Sequence, residues 1–332
     1  MRSGADACTF RPEHRPYRFP FTPFPSGWFA VAWGREIARG GVRAEHAFGR
    51  DLVIFRDDGE EVHVLDAACP HLGAHLGCGG RVEGNTIRCP FHGWRFDATG
   101  SCVEVPFQDT PSGVRVRSWP VREVDGMVLV WHDVAGRDPN WIVRPKHTDD
   151  WPPLTLTEDC NWVVRTHPQE LVENAADSAH LPFVHGLEPG ARRTSLFDGP
   201  RAQLQFATTV DVSALGFSGI SRFWIDVVVQ GLGLLQVDID VVDFGVQFRT
   251  LIHVTPIDGE HVRVRAPLSA RHGDDVGATH AILDAWRNAF RVDFETDAVI
   301  WENKQYLSRP RLSRVDGPVI QLREWARQFY PD

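Results

Sequence analysis

Two short cysteine–histidine pairs constrain this chain more than any other feature of its sequence. One residue separates Cys69 from His71, two separate Cys89 from His92, and 17 residues lie between the pairs. Each pair contains a proline and is followed within two residues by a glycine. Glycine there predicts two tight loops whose backbone can approach a ligand closely. Four donors on two such loops predict a metal centre around which both loops fold.

The donor set and its spacing favour an iron–sulfur centre. In a [2Fe–2S] cluster with mixed ligands, two thiolates (Cys69 and Cys89) hold one iron and two imidazoles (His71 and His92) hold the other. Zinc is the alternative, because Cys2His2 sets also bind zinc. Zinc pairs usually enclose about two to five residues, so the single residue between Cys69 and His71 fits zinc poorly. A third possibility, four unrelated residues, requires two matched loops to arise by accident.

A second set of donors follows at residues 173–185. Asp177 and His180 are three positions apart, a spacing that predicts one shared helical face. Pro182 is expected to disturb that helix and to turn His185 back towards His180. Two histidines and one carboxylate form the facial triad of non-heme Fe(II) sites. The alternative is two ordinary histidines at a polar helix end. The presence of the cysteine–histidine loops in the same chain disfavours this alternative, because an iron–sulfur cluster would supply electrons to a second iron.

The carboxylate of such a triad must come from another segment. Apolar residues at helical spacing predict a long helix over residues 274–307. Asp293 and Asp297 share a face of that helix. Its candidate carboxylates are Asp293, Glu295, Asp297 and Glu302.

Composition narrows the class of protein. The length of 332 residues favours two domains. A formal charge of −9 argues against a nucleic-acid surface, which would be basic. Six cysteines are too few for a disulfide scaffold in a chain of this length and indicate a reducing compartment. With no signal-peptide pattern and no long apolar run, a soluble cytoplasmic protein without a transmembrane segment is expected.

The order of patterns along the chain predicts an α+β fold. Residues 1–25 read as an irregular arm, and residues 26–135 carry the short apolar runs of a β-rich domain. Residues 136–332 open on a proline-rich linker and then combine a helical stretch near 170–180, β strands and the long helix. No strand is followed by a complete Gly-x-Gly-x-x-Gly motif, so the chain shows no dinucleotide site of its own.

With these two donor sets, the chain resembles the Rieske non-heme iron oxygenases from about residue 27 to residue 330. Within that family it looks like the cholesterol 7-desaturase branch, and its tail is also similar to the oxygenase component of 3-ketosteroid 9α-hydroxylase. The strings that carry the resemblance are Cys69–Leu76, Cys89–Phe96, Glu173–Leu181, Ile300–Lys304, Asp316–Val319, Gln321–Arg323 and Gln328–Tyr330.

The resemblance implies an N-terminal β-rich Rieske [2Fe–2S] domain and a C-terminal helix-grip catalytic domain, an antiparallel sheet with helices. It implies that His180, His185 and Asp297 ligate a mononuclear Fe(II), with Asp293 as the fallback carboxylate. It also implies that Asp177 joins, by hydrogen bonds, a cluster histidine of one subunit to a catalytic histidine of the next in a homotrimer. A separate ferredoxin or flavin reductase would supply electrons from NAD(P)H.

The expected reaction is O2-dependent desaturation of a sterol, cholesterol to 7-dehydrocholesterol. Hydroxylation of a steroid, of the 3-ketosteroid 9α type, is the first alternative. An electron carrier of Rieske type is the alternative from another class, and the second donor set argues against it. Apolar residues between positions 215 and 246 are candidates for a substrate pocket or for plain core: Phe217, Phe223, Trp224, Leu232, Leu234 and Phe244.

Overall fold

The computed structural model describes residues 18–109, 113–145, 151–272, 276–313 and 315–331. Most of the arm predicted over residues 1–25 therefore lies outside the described residues. Among the described residues, no helix is both long enough and apolar enough to cross a bilayer. The described cysteines, which exclude Cys8, form no disulfide.

The N-terminal half is built from three small antiparallel sheets with strand orders β1-β10-β9, β2-β3-β4 and β5-β6-β7-β8. The described strands of this half are β1 Gly27–Trp33, β2 Val42–Ala47, β3 Arg50–Arg56, β4 Val62–Asp66, β5 Arg81–Glu83, β6 Thr86–Arg88, β7 Arg95–Asp97, β8 Cys102–Glu104, β9 Val121–Val124 and β10 Met127–His132. Asp125 and Gly126 join β9 to β10 with φ angles of 51° and 77°. Two successive positive φ angles are typical of the hairpin turn that an Asp-Gly pair predicts.

The C-terminal half contains one eight-stranded antiparallel sheet of order β11-β17-β16-β15-β14-β13-β12, with β18 beside β16. Its strands are β11 Asn161–Val164, β12 Glu188–Asp198, β13 Arg201–Asp211, β14 Ile220–Gln230, β15 Leu234–Val241, β16 Val246–Pro256, β17 Val262–Arg265 and β18 Leu268–His272. The described helices are α1 Pro168–Ala176, α2 His180–Val184, α3 Val276–Asn303 and α4 Val319–Ala326.

One face of this sheet forms the main core. Side chains alternate between the two faces of a strand. Leu204, Val227, Leu235 and Phe248 therefore share the apolar face, where they are buried with residues of α1, α3 and α4. An antiparallel sheet with helices on one face agrees with the predicted α+β class.

The helix that carries the second donor set breaks earlier than the sequence predicts. His167 caps α1 by accepting a hydrogen bond from the Gln169 N–H at 3.1 Å, and the helix ends at Ala176. Asp177 to Ala179 then form the break, and α2 begins at His180. The prediction that Asp177 and His180 share one helical face is therefore wrong. Pro182 does not cause the break, because it lies in the first turn of α2, where its missing N–H is tolerated.

A buried arginine joins the two halves. Arg265 on β17 donates from Nη1 to the Ala30 carbonyl and from Nη2 to the Val31 carbonyl, both at 3.0 Å. The register of β1 against β10 shifts between Ala30 and Ala32, and this irregularity lies where the guanidinium binds. Glu45 accepts from the same guanidinium at 3.2 Å. Burial lowers the pKa of Arg265 to about 10, so it remains charged at neutral pH.

Residues 18–26 run from the N-terminal half to the C-terminal half. Arg18 Nη1 lies 3.0–3.2 Å from three carbonyl oxygens at the end of α3, those of Trp301, Glu302 and Lys304. A cation there satisfies terminal carbonyls and complements the negative end of the helix dipole. The long helix accordingly ends at Asn303 rather than at the predicted residue 307.

Candidate metal centres

Two loops at one end of the N-terminal domain hold the first donor set. The Cys69 loop follows β4 and the Cys89 loop follows β6. Both loops repeat one backbone pattern, in which the Gly73 N–H donates to the Cys69 carbonyl and the Gly93 N–H donates to the Cys89 carbonyl. These glycines have φ angles of 75° and 74°. Such angles are readily adopted by glycine, which explains why each loop needs one.

The four donors separate into an inner and an outer pair. Cys69 and Cys89 are buried, whereas His71 and His92 are exposed, with ring centroids 4.5 Å apart. Burial raises the pKa of the Cys69 thiol to about 11, and the neighbouring Cys89 thiol acts in the same direction. A bound metal reverses this effect, since coordinating thiols are deprotonated.

This arrangement fits a two-iron cluster better than a single zinc. Zinc would need all four donors around one atom at about 2.0–2.3 Å. Within the described part of the chain, no three of these four residues place donor atoms within 4.8 Å of one another. Two separate pairs, thiols inside and imidazoles outside, match a cluster with one iron on each pair. Trp94, to which the sequence assigned no role, stacks on His71 at 4.7 Å and 6°.

The second donor set meets between α1, α2 and α3. Donor atoms of His180, His185 and Asp297 lie within 4.8 Å of one another. Asp297 is buried and places Oδ1 3.2 Å from His185 Nε2. Two imidazoles and one carboxylate are the donors of non-heme Fe(II) sites, so the residues fit such a metal. The structure thus brings together the three predicted donors from segments more than 100 residues apart in sequence.

The Nδ1 atom of each histidine faces a different carboxylate. His180 Nδ1 lies 3.8 Å from Asp177 Oδ2, and His185 Nδ1 lies 3.4 Å from Asp293 Oδ1. Both Nδ1 atoms are buried without a well-formed hydrogen bond. Catalytic hydrogen bonds are often long in ligand-free structures and shorten in the loaded site.

Asn174 also belongs to this site, although the sequence indicated no role for it. Its Nδ2 atom donates to Asp297 Oδ2 at 2.9 Å and lies 3.4 Å from His180 Nε2. The carboxylate and one histidine are therefore held by the same amide. The available signal was its spacing, because Asn174 precedes Asp177 by three residues in an otherwise small and apolar stretch.

His185 is held as a cation when no metal is bound. Burial lowers the pKa of His185, but the carboxylates of Asp293 and Asp297 outweigh burial and raise it to about 9. A metal at Nε2 would displace this proton, because a ligating histidine must be neutral there.

The raised pKa predicts how the stability of the protein without metal at this site varies with pH. The stabilisation by His185 is fully present below its ordinary pKa of 6.5 and is lost as pH rises through about 9. Allowing for solvent screening, we expect a loss on the order of 1–2 kcal/mol in the free energy of unfolding. Urea unfolding between pH 6 and pH 9.5 measures it. A His185→Gln variant should lack this pH dependence, and an unchanged slope in that variant would contradict the assignment.

An apolar cavity opens beside the triad. Its polar groups, including Asn174 and Asp177, lie at the end formed by the three donors, and its remaining wall is apolar. The apolar lining residues are Leu171, Ala175, Leu181, Leu187, Phe206, Ile225, Val227, Leu235, Val237, Ile252, Phe290, Phe294 and Trp301. The stretch 215–246 predicted as pocket wall contributes Ile225, Val227, Leu235 and Val237, whereas the six side chains named from the sequence do not line the cavity. Phe223 and Leu232 are core residues, and Leu234 packs against the N-terminal domain.

Comparison with known proteins agrees with this geometry. The Rieske [2Fe-2S] domain family matches residues 27–120, and the 3-ketosteroid 9α-hydroxylase C-terminal domain family matches residues 130–330. A cholesterol 7-desaturase of Bombyx mori is 33% identical over 93% of this chain and 70% of its own length. A probable 3-ketosteroid-9α-monooxygenase oxygenase component of Rhodococcus rhodochrous is also 33% identical, over 93% of this chain and 80% of its own.

The solved structure of dicamba monooxygenase bound to dicamba has the same fold. Its TM-score is 0.72 at 21% identity, covering 91% of this chain and 96% of that one. The chain therefore belongs to the Rieske non-heme iron oxygenases. Within them, its C-terminal half places it with the 3-ketosteroid 9α-hydroxylase C-terminal domain family. It is an oxidoreductase that uses a Rieske cluster and a non-heme iron.

Proposed function

We propose that the protein is the oxygenase component of a sterol desaturase that converts cholesterol to 7-dehydrocholesterol. The observation that carries this proposal is the cavity beside His180, His185 and Asp297, whose wall away from the metal end is apolar. Such a wall suits a fused-ring hydrocarbon held by shape, with few polar contacts to fix it. The similarity to cholesterol 7-desaturases over 93% of the chain supports the same substrate class.

The proposed ligands follow from the two donor sets. Cys69, His71, Cys89 and His92 would hold the cluster in a domain spanning residues 26–135. His180, His185 and Asp297 would hold the catalytic iron in a domain spanning residues 136–332. When bound, the cluster stores an electron and the iron provides a site for O2 activation.

The chain's own residues prepare the substrate for desaturation. The apolar wall, with Phe206 and Phe290, excludes water and holds an unactivated C–H group beside the donor triad. Removal of two hydrogens from neighbouring carbons, with O2, two electrons and two protons, gives an alkene and two waters. Hydroxylation uses the same O2 and electrons but retains one oxygen atom in the product. The two reactions therefore differ in whether a second hydrogen is removed from the neighbouring carbon.

We propose a homotrimer in which the cluster of one subunit docks beside the triad of the next. Apolar side chains near the cluster histidines are exposed, with Leu72 at 65%, Phe91 at 61% and Phe107 at 107%. Phe183, in α2, is 90% exposed beside the second donor set. Asp177 is part-exposed there, and its carboxylate would accept a hydrogen bond from a cluster histidine of the neighbouring subunit. Exposed apolar clusters of this kind are typical of protein interfaces.

We also propose a ferredoxin or flavin reductase that passes electrons from NAD(P)H, and a cytoplasmic location. The name of one relative as an oxygenase component supports a separate reductase. Free thiols at all described cysteines suit a reducing compartment.

The experiment that tests the substrate supplies the purified protein with a reductase, NAD(P)H, O2 and cholesterol. Mass spectrometry should detect 7-dehydrocholesterol. Conversion of a 3-ketosteroid to its 9α-hydroxy product, with cholesterol untouched, would instead establish the hydroxylase alternative, which the C-terminal family match favours. Turnover of aromatic compounds alone would exclude both steroid functions.

Iron content separates an oxygenase from an electron carrier. The proposed ligands predict three irons per chain, and His180→Ala should reduce the content to two while the cluster absorbance is retained. His261→Ala, which removes a partly exposed histidine paired with Asp258, is the matched control and should retain three. Two irons in the unmodified protein, unchanged in His180→Ala, would indicate a carrier.

A further inference from the structure

Asp293 faces the side of His185 that points away from the donor triad. The His185 ring has Nε2 3.2 Å from Asp297 Oδ1 and Nδ1 3.4 Å from Asp293 Oδ1. The two aspartates are one helical turn apart on α3, so a single rigid element presents both carboxylates to the two edges of one imidazole.

The two carboxylates are not equivalent. Asp297 is buried, belongs to the group of donors within 4.8 Å of one another, and accepts a hydrogen bond from Asn174. The Asp293 side chain is 49% exposed and does not join that group. Asp293 therefore contacts the histidine without approaching the point where the three donors converge.

The other histidine of the site has the same arrangement. His180 has Nε2 on the side of Asn174, whose amide binds Asp297, and has Nδ1 on the side of Asp177. Each imidazole thus directs one nitrogen inwards and the other towards a carboxylate. A ligating histidine commonly donates its second N–H to a carboxylate, which selects the tautomer and orients the ring.

We propose that Asp293 is a positioning residue for the catalytic iron. It accepts the Nδ1–H of His185 and thereby presents the lone pair of Nε2 to the metal. This inference rests on the proposed ligand set of His180, His185 and Asp297. It makes Asp293, the alternative carboxylate ligand expected from the sequence, an outer partner of His185 instead. Loss of such an outer partner typically lowers metal affinity about 10–100-fold.

The test measures Fe(II) binding at the catalytic site, independently of turnover. Protein stripped of catalytic iron, with the cluster retained, is titrated with Fe(II) under anaerobic conditions. Asp293→Ala should weaken binding about 10–100-fold. Asp293→Asn should recover most of the affinity, because its amide oxygen can still accept from Nδ1–H. Asp284→Ala, which removes an exposed aspartate paired with Arg287 on the same helix, should leave the affinity unchanged.

A spectroscopic measurement separates positioning from general loss of fold. The electron paramagnetic resonance spectrum of the Fe(II)–nitric oxide adduct depends on the geometry of the ligands. It should broaden or split in Asp293→Ala and return towards the unmodified spectrum in Asp293→Asn. Asp297→Ala should weaken Fe(II) binding more than either Asp293 variant does.

Two results would overturn the proposal. Asp293→Ala with unchanged affinity and an unchanged adduct spectrum would show that the carboxylate does not act on His185. Complete loss of iron in Asp293→Ala, with retention in Asp297→Ala, would make Asp293 the ligand. Failure of the sterol assay is a separate outcome, because a protein that binds iron as expected but does not convert cholesterol contradicts only the proposed substrate.

Discussion

Asp177→Asn is expected to lower turnover by at least about 100-fold while all three irons remain bound. The carboxylate lies 3.8 Å from His180 Nδ1, and in the proposed trimer it would also accept from a cluster histidine of the neighbouring subunit. A neutral amide accepts such hydrogen bonds less strongly than a carboxylate does. Asparagine should still accept the hydrogen bond that Asp177 Oδ1 takes from the Ala179 N–H at 2.9 Å, so the break between α1 and α2 is preserved.

Single-turnover kinetics locate the defect. With a reduced cluster, substrate and O2, stopped-flow absorbance should show slow oxidation of the cluster in Asp177→Asn. Asp211→Asn is the control, because Asp211 accepts a similar local hydrogen bond from the Ser213 N–H and belongs to neither donor set. Fast cluster oxidation and normal turnover in the Asp177 variant would refute the proposed link between subunits.

Arg265→Ala should destabilise the protein by about 3–5 kcal/mol, the cost of removing one partner from a buried ion pair. The substitution leaves the Val31 carbonyl without its donor and deprives Glu45 of one of its partners. Because this guanidinium spans the two domains, we expect urea unfolding to separate into two transitions.

Arg263→Ala provides the comparison within the same strand. Arg263 also approaches Glu45, at 3.4 Å, but its side chain is 29% exposed. Its loss should lower stability by less than about 1 kcal/mol. Equal effects of the two substitutions would show that net charge near Glu45, rather than the contact across the domains, accounts for the stability.

The parts of the site that spacing alone predicts are local, whereas Asp297 was assigned through the family resemblance. Cys69 and His71 lie in one loop, and Cys89 and His92 in another, so their spacing alone defines the pairs. The two-domain α+β architecture was also predictable, because hydrophobic alternation and turn residues recur in the first half and a long helical period marks the second.

The features that the sequence did not predict depend mainly on contacts between residues far apart in the chain. Phe206 and Phe290 line the cavity, but an alternating strand pattern does not reveal which face will be covered by helices. The contact of Asn174 with Asp297 spans 123 residues, so its spacing from Asp177 does not reveal that partner. The early end of α1 follows from Asp177, whose extended backbone serves as the C-cap, whereas Pro182 appeared to be the obvious helix breaker.

The contacts of Arg18 have a consequence for folding during synthesis. Its partners at the end of α3 are 283–286 residues later in the chain. At typical rates of translation, about 15–60 s pass between the synthesis of Arg18 and that of Trp301. The first strands can pair within that time, but residues 18–22 must wait for their partners in the C-terminal half, with Phe19 and Phe21 uncovered. Docking of this segment therefore follows synthesis of the C-terminal half, and until then its aromatic side chains are free to make non-native contacts.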